Sequence, residues 1–248
     1  MTFNPYSLEG KTILVTGASS GIGKATAIAC SKIGAHVVIT GRNTHRLQET
    51  FNELEGEGHQ QIIAELTNED DLKNLVEQLP QLDGFVNNAG IGSKTPISFI
   101  KHNALQNILD VNTIAPIMLT KMIIKKKKLQ KGSSLVLTSS ISGVCSVDIG
   151  NTLYSVSKSA IDGFMKNAAK ELAEKGIRVN SVNPGMVDTP INDYSNITEE
   201  QMQADLLRYP LKRHGKPEEI AYAIIYLLSD AAAWVTGTAL KIDGGYSL

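Results

Sequence analysis

Tyr154 and Lys158 stand four residues apart in the run Leu153-Tyr154-Ser155-Val156-Ser157-Lys158. On a helix that spacing puts a phenol and an amine on one face, one turn apart. A positioned phenol can pass a proton to or from an oxygen that changes charge in a reaction. A free phenol has a pKa of about 10; burial would raise it, whereas a nearby cation would lower it. A shift of about three units corresponds to about 4 kcal/mol, the order that one ammonium supplies in a partly dry site. Alone, the pair is no more than two ordinary helix-surface residues. Two further polar residues converge with it: Ser140, at the end of a strand-like run, and Asn112, in an earlier helical stretch.

A second feature is the turn Thr16-Gly17-Ala18-Ser19-Ser20-Gly21-Ile22-Gly23. It follows the apolar Ile13-Leu14-Val15 and opens a helical run from Lys24 to Ala29. Gly17 allows a tight turn, Gly21 lets the backbone approach an anion, and Gly23 lets helix and strand pack closely. The free N–H groups of the first helical turn then face a pyrophosphate. The alternative is an ordinary strand-to-helix connection, but the position after a strand and before a helix is the one a dinucleotide requires.

These residues need a scaffold of alternating elements. Apolar runs predict strands at Thr12–Thr16, His36–Thr40, Gln61–Leu66, Gly84–Asn88, Ser134–Ser139, Arg178–Val182 and Ala239–Ile242. Helical patterns cover Gly21–Ile33, Thr44–Leu54, Glu69–Leu79, Ala104–Lys128, Leu153–Lys175 and Glu218–Ser229, with Gly34 and Gly176 where helices should stop. The strands are rich in Val, Ile and Leu without strict alternation, as expected where helices cover both faces. The order predicts an α/β fold: a single-domain, doubly wound parallel sheet of about seven strands, spanning 1–248. Ligands in such a sheet lie beyond the carboxyl ends of the strands, where Thr16–Gly23, Asn87–Ile91, Ser139–Gly143 and Asn183–Thr189 fall.

Composition narrows the class. The chain has 248 residues and a formal net charge of −1, which gives no global attraction to nucleic acid or acidic membranes. The N-terminus lacks a secretory pattern, and the apolar run Ala221–Leu228 is too short to span a bilayer. Cys30 and Cys145 make neither a disulfide framework nor a metal cluster and read as packing residues. The expectation is a cytoplasmic protein with no metal, no nucleic-acid partner and no membrane partner.

On these residues the chain resembles the short-chain dehydrogenase/reductase family, over nearly its whole length. Thr16–Gly23 matches that family's glycine turn, and Asn87-Asn88-Ala89-Gly90 its segment after the fourth strand. Asn112, Ser140, Tyr154 and Lys158 fall on its catalytic tetrad. Pro184-Gly185-Met186-Val187-Asp188-Thr189, Gly237-Thr238 and Asp243-Gly244-Gly245 match its later motifs. The resemblance implies a Rossmann fold and hydride transfer between a nicotinamide and a ketone or secondary alcohol. Tyr154 would be general acid or base, and Ser140 would bond the substrate oxygen. Lys158 would tune the phenol and bind the nicotinamide ribose, and Asn112 would hold a proton-relay water. The family places its serine thirteen residues before the tyrosine, where this chain has Ile141; aligning the strand ends selects Ser140, implies one inserted residue and leaves Ser142 as the fallback.

The resemblance also implies a cofactor site of Thr16, Gly17, Ser19, Ser20, Gly21, Ile22, Gly23, Arg42, Leu66, Asn88, Ala89, Gly90, Tyr154, Lys158, Pro184, Gly185, Val187 and Thr189. The second strand ends in Thr40-Gly41-Arg42-Asn43, with no carboxylate for a ribose 2′-OH. Arg42 can pair with a 2′-phosphate, so NADP(H) is preferred and NAD(H) stays open. Glu65-Leu66 departs from the family's usual Asp-Val near the adenine.

Residues 190–216 hold the position of the family's substrate lid and carry Ile191, Tyr194, Ile197, Met202, Leu206, Leu207 and Tyr209. They either close over substrate or pack as a short helix pair. The opposite wall falls to Val144, Cys145, Val147 and Ile149, which predicts a mainly apolar pocket. Lys125–Lys128 reads first as a solvated helix end. Carrier-protein reductases of this family hold basic residues at the ends of this helix and the next, so Lys128, Lys131 and Lys175 are candidates for docking an acyl carrier protein. The leading function is an NADP-dependent ketone reductase, with 3-oxoacyl-carrier-protein reduction the first specific option. A sugar, steroid or other secondary-alcohol dehydrogenase is the alternative, and a non-catalytic dinucleotide-binding regulator is the reading from another class. The family's habit implies a homotetramer or homodimer.

Overall fold

The computed structural model describes residues 4–192 and 198–248. Its frame is one seven-stranded parallel sheet: β1 (Thr12–Thr16), β2 (His36–Gly41), β3 (Gln60–Ile63), β4 (Leu82–Asn87), β5 (Leu129–Thr138), β6 (Arg178–Pro184) and β7 (Ala239–Ile242), in the order β3-β2-β1-β4-β5-β6-β7. Strand order reverses between β1 and β4, which opens a crevice at their carboxyl ends. The expected fold class is therefore the one observed.

The strands are apolar on both faces because both faces are covered. Leu14, Val38, Phe85, Leu135 and Val179 pack on one side with α3 (Glu69–Gln78), α5 (Ala115–Lys125) and α6 (Thr152–Ala173). Their neighbours Ile13, Val15, Ile39, Val86 and Val136 point to the other side, against α1 (Gly21–Lys32), α2 (Thr44–Asn52) and α8 (Pro217–Leu228). This is the two-residue alternation of a strand, hidden in the sequence because each face has its own core.

The helix expected over Ala104–Lys128 differs. It is α4 (His102–Leu109), a π turn at Asp110–Ile114, and then α5. The wider turn carries Asn112 and hands its side chain to a neighbouring loop. The helix also ends earlier, at Lys125: Lys127 takes a left-handed φ of 53°, and Lys127 and Lys128 donate back to Ile124 and Ile123. By length and composition alone, His102–Lys125 would pass as a bilayer-crossing segment. Here Ile108, Leu119 and Ile123 of that stretch are buried in the fold. Among the described residues of the expected lid, one helix forms, α7 (Glu199–Leu207), with a Thr198–Gln201 capping box; Tyr194 and Ile197 lie outside the described residues.

Candidate active site

The glycine turn joins β1 to α1. Gly17 has φ 65°, and a Cβ there would stand 2.8 Å from the Ala89 Cα. A Cβ on Gly23 would collide with the Gly17 carbonyl oxygen and the Asn88 side chain. Thr16 ties the turn to the end of β4: its Oγ1 accepts the N–H groups of Asn88 (2.9 Å) and Ala89 (3.1 Å) and donates to the Val86 carbonyl (3.4 Å). Asn88 donates its side-chain amide to the Thr16 carbonyl at 3.2 Å. The loop after β6 lies against the same turn, since a Cβ on Gly21 would be 3.1 Å from Thr189 Cγ2. Pro184 ends β6, the Gly185 N–H bonds the Ile242 carbonyl, and Val187 is buried beside Gly215.

This cradle fits a dinucleotide pyrophosphate. Asn43 caps α2 and Asn68 caps α3, but Ser20 makes no side-chain cap on α1, whose first turn also lacks an acidic residue. The amide groups at Gly21, Ile22 and Gly23 thus begin a helix with no carboxylate competing for their partial positive charge. Ser19 and Ser20 are half-buried on the approach to it.

At the next two strand ends the tetrad candidates meet. Tyr154 and Lys158 share a face of α6, and Lys158 Nζ is 5.7 Å from the Tyr154 ring centre. Lys158 is 4% exposed and donates to the Thr138 carbonyl at the end of β5, at 2.8 Å. Ser140 lies near enough to the Tyr154 phenol to favour its ionised form, and its Oγ accepts the Ser142 N–H at 3.1 Å. Ser142 is committed elsewhere, to Asn151 (2.6 Å) and Ser155 (3.2 Å), where it steadies the start of α6. The Ser142 hydroxyl is thus engaged in structure, which favours Ser140 over the fallback. Asn112 spends its amide on structure: it accepts from the Ile91 N–H (2.8 Å) and donates to the Ile91 carbonyl (2.9 Å) and Ser157 Oγ (3.1 Å). It clamps the chain after Gly90 to α6, and a Cβ on Gly90 would stand 3.4 Å from Lys158 Nζ.

Burial sets the acidity of the pair. It pushes the Tyr154 phenol up to about 12, opposed by the neighbouring Ser140. It pushes the Lys158 ammonium down to about 8, opposed by the charge of Asp162. The expected lowering of the phenol is thus not a property of the chain alone; there desolvation outweighs the effect of Ser140.

Arg42 follows β2 with its side chain 69% exposed, and its Nη1 pairs with Glu65 Oε2 at 3.2 Å. The guanidinium is accessible to a phosphate, but a carboxylate already competes for it. Leu66 is buried in the core layer that includes α3. At the mouth, Arg208 bonds Asp148 (3.1 Å) and Asp205 (3.2 Å) and lies 4.5 Å from the Tyr246 ring centre, which joins α7 to the loop after β5 and to the C-terminal segment. Val147 and Ile149 on that loop are largely exposed, as are Leu207 on α7 and Ile97 and Phe99 beyond the Thr95–Gly150 backbone bond.

Sequence reasoning missed the buried polar set beneath Ser140: Asp162, Ser181 and Asn183. Its signal was available, because Tyr154, Lys158 and Asp162 are each four residues apart and share one helical stripe. The Lys128 expectation also needs correction. Its ammonium bonds the carbonyls of Leu79 and Glu77 and closes the end of α3. A groove of about 320 Å³ beside it is lined instead by Lys125, Lys127, Lys131 and Lys175 over Ile124, Leu129 and Ile177.

A doubly wound sheet with a glycine cradle at its crossover and a Ser–Tyr–Lys set one strand away defines a dinucleotide-dependent oxidoreductase class. A family model described as Enoyl-(Acyl carrier protein) reductase matches residues 17–247. The chain is 37% identical over 238 residues to the 3-oxoacyl-[acyl-carrier-protein] reductase of Rickettsia felis, covering 96% of this chain and 97% of that one. It is 35% identical over 257 residues to glucose 1-dehydrogenase of Gluconobacter oxydans, covering 98% and 95%. A short-chain dehydrogenase from Burkholderia cenocepacia in complex with NADP superimposes with a TM-score of 0.89, at 30% identity and coverage of 99% and 100%. The chain belongs to the short-chain dehydrogenase/reductase family and is an oxidoreductase acting between secondary alcohols and ketones.

Proposed function

We propose that the protein is an NADPH-dependent reductase of 3-oxoacyl thioesters, with Tyr154, Lys158, Ser140 and Asn112 as its catalytic set. The observation that carries the reading is the buried Lys158 ammonium, anchored on the Thr138 carbonyl and 5.7 Å from the Tyr154 ring centre, at the crevice that the glycine cradle shares. A nicotinamide held at this crevice would supply the hydride for the carbonyl carbon. Ser140 holds the carbonyl oxygen and stabilises its growing charge. Tyr154 Oη gives its proton to that oxygen, so a C–H and an O–H bond form together on the substrate. A phenol held near 12 is fully protonated at neutral pH, the state that reduction needs, and is still far more acidic than the alcohol it creates. Lys158, at about 8, is mostly charged at neutral pH and favours the phenolate left behind. Asn112 keeps the loop at Gly90–Ile91 and α6 in register.

Arg42 would meet the 2′-phosphate, and the cradle at 16–23 the pyrophosphate. An acyl chain suits the exposed rim of Ile97, Phe99, Val147, Ile149 and Leu207 better than a sugar does, because sugar hydroxyls need polar partners. The name of the Rickettsia relative points the same way. Lys125, Lys127, Lys131 and Lys175 would receive an acidic carrier protein. A cytoplasmic homodimer or homotetramer completes the reading, and the fully exposed Trp234 supplies an apolar contact for it.

The test is NADPH oxidation with 3-oxoacyl, enoyl and aldose substrates in parallel. Preference for 3-oxoacyl thioesters supports the reading. Turnover of the enoyl thioester alone would move the function to carbon–carbon double-bond reduction, and turnover of aldoses alone to a sugar dehydrogenase.

A further inference from the structure

We propose that Asp162 is the positioning residue of the Tyr154–Lys158 pair, holding the Ser140 end of β5 through Asn183 and presenting its negative charge to the Lys158 face of α6. The inference rests on the reading of Tyr154 and Lys158 as the proton-transfer pair. Asp162 is 5% exposed, one turn beyond Lys158. Both its oxygens accept hydrogen bonds, Oδ1 from Ser181 Oγ at 2.7 Å and Oδ2 from Asn183 Nδ2 at 2.7 Å. Asn183 Nδ2 also donates to the Ser140 carbonyl at 3.0 Å, and Ser181 Oγ lies 2.9 Å from Asn183 Oδ1. Ser181 and Asn183 are themselves buried on β6. An apolar residue would suit this stretch of α6, between the buried Ile161 and Met165, and would ask for no partners. A carboxylate here must be satisfied on every side, and it is.

The arrangement has two consequences. A rigid amide links the carboxylate to the backbone that presents the Ser140 hydroxyl, so the substrate-oxygen donor is fixed from below. The charge also acts on Lys158. From α6, Tyr154 and Asp162 face that amine; the Thr138 carbonyl faces it from β5, Asn112 from the π turn, Gly90 from the loop after β4, and Ser181 and Asn183 adjoin from β6. The Asp162 carboxylate, one helical turn from Lys158, raises the pKa of that ammonium and so opposes the burial that pushes it down to about 8.

The experiment is the pH profile of kcat/KM for reduction by wild type, Asp162→Asn, Asn183→Ala and Tyr154→Phe, with NADPH binding measured by calorimetry at pH 6. An asparagine at 162 can accept from Asn183 and donate to Ser181, so chiefly the charge is removed. Asp162→Asn is expected to bind NADPH as wild type does and to move the alkaline limb down by about one pH unit. Asn183→Ala keeps both charges and is expected to lower kcat about tenfold with the limb unmoved. An unmoved limb in Asp162→Asn overturns the electrostatic role, and wild-type kcat in Asn183→Ala overturns the tether. If Asp162→Asn does not fold, Asn183→Ala decides the tether, and Asp162→Ser, which also removes the charge, is read for the limb. Full activity in Tyr154→Phe would instead remove the catalytic reading on which the inference rests.

Discussion

Lys158 donates its ammonium to the Thr138 carbonyl at 2.8 Å and thereby stays 5.7 Å from the ring centre of Tyr154. The charge is fixed by β5, not by the phenol it serves. Its desolvation has a thermodynamic signature. Lys158 falls from 10.5 to about 8 on folding, so between those values the unfolded chain binds the extra proton. Stability from this group is therefore reduced below pH 8, rises from pH 8 to 10.5, and is fully recovered above. Lys158→Met removes the dependence. The variant is expected to be more stable than wild type at pH 7, by up to about 3 kcal/mol, with the gap closing by pH 10.5. Denaturant melts at pH 7, 8.5 and 10 check this; a gap constant with pH would contradict the assigned burial cost.

The Arg42–Glu65 pair sets a second expectation. Glu65 competes with a 2′-phosphate for the same guanidinium. Glu65→Gln should tighten NADPH binding several-fold relative to NADH, because a phosphate no longer displaces an ion pair. Arg42→Asp should reverse the preference toward NADH. Titration calorimetry with both nucleotides reads the two effects, and unchanged ratios would take Arg42 out of the cofactor site.

The basic groove tests the carrier-protein partner. Replacing Lys131 and Lys175 by Glu should raise KM for a carrier-linked 3-oxoacyl substrate about tenfold at low salt and leave kcat unaltered. The same variant should handle a small-molecule thioester as wild type does. Added salt should weaken the wild type toward the variant. An equal response for both substrates would mean that the lysines are only a solvated helix end.

The cradle is tested at Gly23. A methyl group there meets the Gly17 carbonyl and the Asn88 amide, so the turn and the end of β4 must separate. Gly23→Ala is expected to lose nucleotide binding by at least tenfold and to lower the melting temperature. Wild-type affinity in a folded variant would show that the turn does not hold the nucleotide.

The sheet was legible because its signals are local. Each strand is a short Val/Ile/Leu run, and glycines mark the turn at 16–23. The pairing of Tyr154 with Lys158 was legible because the two residues keep helical spacing. What escaped depends on contacts between distant segments. The π turn at Asp110–Ile114 is invisible to a 3.6-residue period, and the bond it accompanies joins Asn112 to Ile91, 21 residues apart in sequence. Lys128 looked free because its partners at Glu77 and Leu79 lie in another element. Arg42 looked free for the same reason, with Glu65 on the neighbouring strand's loop. Asp162 was within reach of pattern reasoning, but its meaning needed β6 beside it.

The central claim is that the Tyr154 phenol delivers the proton while the hydride is transferred. Stopped-flow single-turnover oxidation of NADPH by Tyr154→Phe, with nucleotide binding measured on the same preparation, tests it most directly. Binding should equal that of wild type, and the hydride-transfer rate should fall by about a hundredfold or more. A variant that oxidises NADPH at the wild-type rate would contradict the account.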